Sequence, residues 1–151
     1  MAIRLAQLLV QLPVQLRGAD TMAIAADKEA ALHQFWSGFG WTAKDENTIP
    51  DNAMTLYGNH YITYSVATAA LGVPVLLSGD LWCRDTSWSE ITAEAEQIAQ
   101  ALPEGDSYLV PFSGGYLRVY RGSPFTQRIG ESHDTFRRIH INIIAEYLSA
   151  Y

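Results

Sequence analysis

Few side chains in this sequence have the spacing that metal binding requires. Its four histidines form neither an HxH nor an HxxxH pair. Glu131, His133 and Asp134 lie close enough in sequence to contact one metal ion, although polar loops of this kind usually hold none. We therefore expect no metal and no other cofactor, and no loss of thermal stability on treatment with a chelator.

The usual signatures of an enzyme are also missing from the sequence. It contains no GxSxG elbow, no P-loop and no GxGxxG turn. The single cysteine, Cys83, ends the apolar run VLLSGDLWC, whereas a cysteine nucleophile needs a base and surroundings that favour the thiolate. A buried structural thiol and a protein without catalytic activity are predicted. One alternative stays open, a small ligand-binding or enzymatic domain that uses residues 41–57 and the cluster of Glu131, His133 and Asp134.

Composition favours a single globular domain over residues 1–151. Hydrophobic residues make up 48% of the chain and charged residues 17%, which is enough apolar material for one core. Ten basic and 16 acidic residues give a net charge of −6, which disfavours a dedicated nucleic-acid-binding protein. One cysteine cannot form an intrachain disulfide, so a disulfide-stapled secreted scaffold is excluded.

The N-terminal part of the chain predicts two helices. Residues 3–16 are apolar but interrupted by three glutamines, so they predict a short amphipathic helix that ends near Pro13, and neither a membrane span nor a signal peptide. Residues 17–25 predict a turn and a short extended segment. A second helix is predicted to begin at Asp27 and to end near the glycines of 38–40.

The polar segment 41–57 predicts a long loop, because it contains Pro50 and shows no hydrophobic period. Aromatic residues lie at both ends of this segment and just after it. Trp41, Tyr57 and Tyr61 belong either to the core or to an interface with another chain.

The rest of the sequence predicts strands around one long helix. Alternating apolar and polar residues predict five strands, at 60–68, 75–83, 108–112, 116–121 and 137–147. Gly79 marks a possible bulge. Ser87 and Glu90 have the spacing of a capping box at the start of a helix over 88–102, with Glu94 on its solvent side. Residues 122–136 predict a loop, because glycine, proline and charged residues recur in it.

These elements predict an α+β fold, an antiparallel or mixed sheet of about five strands with helices packed on one face. Charge is unevenly spread over it. Residues 1–106 carry a net charge of −8 and residues 107–151 a net charge of +2. Such asymmetry favours a surface that meets an acidic partner, including another copy of the chain.

Several short segments occur in a recognisable order. They are YITY at 61–64, SGDLW at 78–82, TSW at 86–88, GGY at 114–116, RGSPFTQR at 121–128, RRIHINI at 137–143 and EYL at 146–148. In order and spacing this set, which spans residues 60–148, resembles the tail terminator (tail completion, or head–tail joining) proteins of long-tailed bacteriophages. Residues 1–59 match that family only as a helix and a variable loop.

The resemblance implies a structural virion protein rather than an enzyme. It implies a homohexameric ring that caps the tail tube and contacts the tail tube protein and the head–tail connector or neck proteins. DNA would pass through its lumen without sequence-specific binding, and no membrane partner is implied. The chain would reside in the virion, and in the host cytoplasm during assembly. A sister head-completion or neck protein of the same fold remains an alternative.

We expect the interface to lie around the predicted loop 122–136. In this interpretation Phe125 is an apolar anchor on a neighbouring subunit or the tail tube, Gln127 contacts the same partner, and Arg128 pairs with an acidic patch. The loop would become ordered only on assembly. The arginines expected to flank this interface are Arg118, Arg121, Arg137 and Arg138.

Overall fold

The computed structural model describes residues 21–50, 52–67, 70–85, 87–130 and 136–150. Within these ranges the helices are α1 (Thr21–Ser37), α2 (Ala53–Tyr57) and α3 (Ser89–Ala101), with a 3₁₀ turn at Glu46–Thr48. The strands are β1 (Ala43–Asp45), β2 (His60–Tyr64), β3 (Val75–Arg84), β4 (Tyr108–Phe112), β5 (Gly115–Ile129) and β6 (Phe136–Ser149). The helix predicted to end near Pro13 lies outside the described residues. No helix in the described ranges is long and apolar enough to cross a membrane.

The strands form one mixed sheet in the order β1-β2-β3-β6-β5-β4. β1 and β2 run parallel, and every other neighbouring pair is antiparallel. The predicted α+β class is therefore confirmed, with six strands in the described residues instead of about five.

Helices α1 and α3 pack on the same face of the sheet, as predicted. Phe35 and Trp36 of α1 and Ile91 and Ile98 of α3 are almost completely buried. Below them lie the odd-numbered residues of β3 and β6, because side chains alternate along a strand. The short helix α2 is different, since its Tyr57 contacts Tyr61 on the opposite face. We call the face under α1 and α3 the inner face and the opposite one the outer face.

Gly79 leaves space for the side chain of Trp36 and does not form the predicted bulge. The pairing of β3 with both neighbours runs through Gly79 without a register shift. A Cβ atom at this position would lie 2.5 Å from the indole ring of Trp36. The glycine is thus needed so that the Trp36 ring can lie directly on the sheet.

Two predictions for the N-terminal half are wrong. Helix α1 begins at Thr21, so part of the segment predicted as turn and extended is helical and Asp27 is not its cap. The predicted loop 41–57 contains β1, the 3₁₀ turn and α2. Elements of three to five residues are too short to show a period. β1 is held by pairing with β2, to which Thr42 O adds a hydrogen bond from Ile62 N at 2.8 Å.

Helix α3 was predicted almost to the residue, but its capping box does not form. The cap position is Trp88, which makes no side-chain capping hydrogen bond. Glu90 instead accepts a hydrogen bond from His60 Nδ1 at 2.6 Å. The prediction for Glu94 is also wrong, because this side chain is buried, with only 4% of its surface exposed.

The predicted loop 122–136 is a strand at least as far as Ile129. β5 continues past Arg121 through a register shift and resumes pairing with β6 at Thr126. Ser123–Pro124 is a cis peptide bond within this bulge, where proline removes no ladder hydrogen bond. Gly and Pro therefore marked an irregularity inside a strand and not its end. The prediction that this segment orders only on assembly does not hold for residues 122–129.

Candidate assembly surface

Five arginines and two further residues were predicted to form an interface, and the structure divides them between the two faces of the sheet. Arg121, Arg128 and Arg137 lie on the inner face, where they share register with buried residues of β6 or β3. Arg118, Gln127 and Arg138 lie on the outer face, while Phe125 sits in the bulge of β5. The predicted set is therefore not one patch.

Arg121 binds groups of its own chain. Its Nη2 donates to Ala99 O at 2.9 Å and its Nε donates to Leu102 O, so the guanidinium binds the carbonyls at the end of α3. The last carbonyls of a helix lack intrahelical partners, and a cation there also interacts well with the helix dipole. The same guanidinium lies 4.6 Å from the ring centroid of Phe125. Arg121 thus fixes both the end of α3 and the position of Phe125.

Arg128 is placed very differently, because it remains exposed. Its guanidinium lies 4.5 Å from the ring centroid of Trp88 and its Nη2 donates a long hydrogen bond of 3.4 Å to Thr92 Oγ1. In the described part of the chain it has no carboxylate partner within 4.0 Å. Stacking on Trp88 holds the charge in one position while its remaining N–H groups face solvent.

Two adjoining clefts lie along β5, the first beside the segment that follows α3 and the second beside α3 itself. Their volumes are about 560 and 540 Å³, and Arg121 and Phe125 line both of them. Glu104 and Asp106 line the first cleft, and Glu96 and Arg128 line the second. Together they form a groove with carboxylates in both parts and the exposed guanidinium of Arg128 in the second.

The bulge that carries Phe125 is fixed from the β6 side. Asn142 Nδ2 donates to Pro124 O at 2.8 Å. A Cβ atom on Gly122 would lie 2.9 Å from the Asn142 Cβ, so only glycine fits there without a shift. Phe125 itself is half-buried against the core. The surface around Phe125 is thus formed before any partner binds.

The outer face carries a charged network around Asp80. This side chain is only 6% exposed, and its Oδ1 accepts from Arg138 Nε at 3.0 Å and from His140 Nδ1 at 2.8 Å. Arg138 also lies 4.9 Å from the ring centroid of Trp82, whose indole N–H donates to Thr63 Oγ1 at 2.9 Å. A buried carboxylate needs such partners, so this cluster stabilises the fold. Arg138 is therefore engaged within its own chain.

Arg118 is tied to the same face by a weaker contact. Its Nη1 lies 3.8 Å from Glu146 Oε1, and its guanidinium lies 5.0 Å from the ring centroid of Tyr120. The guanidinium is partly exposed, so the ion pair contributes little to stability.

Cys83 is buried, which confirms the predicted structural thiol. Burial and the neighbouring Glu90 carboxylate raise the pKa of its thiol to about 12. The thiolate is the reactive form of a cysteine, so the raised pKa disfavours a nucleophilic role. Asp85 and Glu90 bring their oxygens close to the sulfur, with all ligand atoms within 4.8 Å, and a metal ion at this cluster would have to displace the thiol proton. Residues 131–135, with Glu131, His133 and Asp134, lie outside the described residues.

Two of the three aromatics left between core and interface belong to the core. Trp41 is buried and stacks on His60 with 4.3 Å between ring centroids. Tyr61 is buried and stacks on Trp82. Tyr57 is only half-buried.

Sequence reasoning missed the buried carboxyl group of Glu94. Its Oε2 has no hydrogen-bond partner in the described structure, and burial raises its pKa to about 7. The helical period could have indicated it, because position 94 lies three residues after Ile91 and four before Ile98, both of which are fully buried.

Comparisons with known proteins give a structural similarity but no match in sequence. No family model matches the chain, and no curated protein matches its sequence. Among solved structures, the fold is similar to a chain of the "virion of native gene transfer agent (GTA) particle", with a TM-score of 0.55 and 16% identity. The match covers 83% of this chain and 97% of that chain. At this identity the similarity shows a shared fold.

Proposed function

We propose that this protein is a structural subunit of a phage-like virion. The observation that carries the proposal is the fold similarity, which extends over nearly the whole of a chain that is itself part of a virion. The ordered segments between residues 60 and 148, which resemble tail terminator proteins, support it independently. In this role the subunits form a ring, expected to be a hexamer, that caps the tail tube and joins the tail to the head–neck connector. The subunit is not an enzyme in this proposal.

The groove beside α3 supports a contact surface for assembly. Phe125 provides half-buried apolar area, Gln127 is exposed, and Arg128 presents a fixed charge without a carboxylate partner in the described part of the chain. Because these residues are already in place, docking costs less conformational entropy than the ordering of a loop would. The partner is a neighbouring subunit or the tail tube protein.

The charge distribution fits a head-to-tail ring around DNA. Such rings join two different surfaces of each subunit, and the acidic first two thirds and the arginine-bearing remainder supply opposite signs. A net acidic subunit also repels phosphate, so DNA passing through the lumen would not adhere. The protein would therefore belong to the virion, after assembly in the host cytoplasm.

Inactivation of the gene in the cell that produces the particle tests this function. We expect heads and tails that do not join, and wild-type particles that contain the chain as a ring by electron microscopy. Normal joined particles without the chain would contradict the proposal. A ring found in the neck, away from the tail tube, would instead identify the sister neck protein.

The double variant Phe125→Ala/Arg128→Glu tests the surface. Phe125 is only half-buried, so the melting temperature of the variant should fall by no more than a few degrees. This corresponds to a loss of about 1 kcal/mol or less in the free energy of unfolding. Rings and joined tails should nevertheless be lost. The matched control is Leu56→Ala/Arg84→Glu, which removes an exposed apolar side chain and reverses an exposed cation elsewhere.

A further inference from the structure

The far end of β5 has an edge that pairs with no strand in the described part of the chain. β4 pairs with β5 only along Gly115–Val119, whereas β6 pairs with it as far as Ile129. The stretch Thr126–Ile129 therefore presents a row of backbone N–H and C=O groups along the edge that points away from β6. Such an edge can accept a strand from another chain.

The bulge restricts where that strand can bind. Pro124 has no N–H to donate, and the chain around it departs from regular pairing. Bulges and prolines are the features that protect sheet edges from unwanted pairing. The usable edge is therefore the four residues Thr126–Ile129.

The opposite edge of the sheet offers a segment of matching length. β1 is the outermost strand on that side, with three residues, Ala43–Asp45, and it pairs only with β2 among the described strands. Two short free edges on opposite sides of one subunit permit head-to-tail pairing from copy to copy.

The charges beside these two edges are complementary. Arg128 is exposed and has no carboxylate within 4.0 Å among the described residues. Glu46 directly follows β1 and is exposed, and it likewise makes no ion pair in the described structure. One subunit thus carries both halves of a salt bridge at distant positions.

We propose that neighbouring subunits join by strand addition. The edge Thr126–Ile129 of one copy pairs with β1 of the next, and Arg128 binds Glu46 of the partner subunit. The contact is heterologous, so repeating it generates a ring when the rotation between neighbouring copies closes. This inference rests on the proposed ring and specifies how it is held together.

Charge reversal tests the salt bridge on the full chain. Arg128→Glu and Glu46→Arg should each weaken ring formation by about tenfold or more, and the double variant should restore it. Native mass spectrometry and sedimentation at micromolar concentration measure the rings, and thermal melting checks folding. The control substitutions Arg84→Glu and Glu29→Arg alter exposed charges elsewhere and should leave the rings intact.

Cysteine cross-linking tests the strand pairing independently of charge. Lys44 and Gln127 share register with outer-face residues of β2 and β6, so Lys44→Cys/Gln127→Cys places both thiols on the same face of a continuous sheet. Cys83 is buried and will not compete. Oxidation should give a ladder of multimers, while either single variant should give none beyond the dimer.

The outcomes separate this inference from the proposed function. Strand addition would be overturned if rings still form after charge reversal and oxidation gives no ladder of multimers. That result would leave the proposed virion role unchanged. A wild type without rings, together with a cysteine variant without a ladder, would overturn strand addition as well. Normal joining of heads and tails after loss of the gene would contradict the virion role itself.

Discussion

Strand β5 lies between β4 and β6 along Gly115–Val119 in its first half, Gly115–Arg121, whereas in its last four residues, Thr126–Ile129, it pairs with β6 alone. Leu117 and Val119 of the first half are completely buried, but Thr126–Arg128 are exposed. Pairing with β6 alone is thus enough to keep the end of β5 in a strand beyond the stretch that β4 covers. The first half then contributes to the stability of the fold, and the proposed contact with a second copy uses the second half.

The largest effect is expected for Ile98→Asp, in the helix that contacts both halves of β5. Ile98 is fully buried, and a carboxylate placed there would have to lose its water without a partner. Since domains of this size are stable by only about 5–15 kcal/mol, the variant should fail to fold. Circular dichroism and thermal melting measure this. Gln97→Asp, at an exposed neighbouring position, should melt close to the wild type.

A pair of alanine substitutions compares the two halves directly. Leu117→Ala removes a fully buried side chain and should lower the free energy of unfolding by about 2–5 kcal/mol. Gln127→Ala removes an exposed one and should change it by no more than about 0.5 kcal/mol. Urea unfolding measures both values. Similar losses from the two variants would show that the second half also supports the isolated subunit.

The junction between the halves is tested by Gly122→Ala. The new methyl group would press on Asn142, and we expect a loss of about 1–3 kcal/mol in unfolding free energy. Gly130→Ala is the matched control, because a Cβ atom there meets nothing within 4 Å. If both variants unfold alike in urea, the close approach at Gly122 carries no cost.

Glu94 should make stability depend on pH. Its pKa is about 7 in the folded chain and near 4.5 when unfolded, so between these values the native state binds more protons. The free energy of unfolding should therefore fall as pH rises from about 4.5 to 7. Glu94→Gln should flatten this slope and be more stable than the wild type at pH 8. Urea midpoints from pH 5 to 8 measure it, with exposed Glu96→Gln as the control that should keep the slope.

No effect at all is expected from chelation. Burial raises the pKa of the Cys83 thiol, and a metal ion at the cluster with Asp85 and Glu90 would have to displace the thiol proton, so we expect no bound metal there. Differential scanning calorimetry with and without EDTA should give one melting temperature. A drop of several degrees would indicate a bound metal, either at this cluster or at Glu131, His133 and Asp134.

Periodic stretches were predictable from sequence, and short or irregular ones were not. Helix α3 and the alternation along β6 show their periods over several turns or residues, and both lie where predicted. β1 has three residues and depends on pairing with a strand that sequence alone does not identify. Gly122 and Pro124 predicted a loop, but the pairing of β5 with β6 outweighs these local preferences.

The candidate surface was predictable only in part, for a related reason. Sequence composition indicated the arginines, but strand register decides which face each one occupies, and register follows from pairing. Arg121 therefore proved to bind the end of α3, and Arg138 to bind Asp80. Glu90 likewise had the right spacing for a cap but binds His60, a residue thirty positions earlier.

The burial of Cys83 provides a built-in probe for local opening of strand β3. It is the single thiol of the chain, and it is completely shielded in the folded state. A thiol reagent can modify it only when β3 becomes exposed, so the labelling rate reports how often that happens. Measured before and after assembly, that rate would show whether ring formation slows the breathing of the central sheet, without any introduced probe.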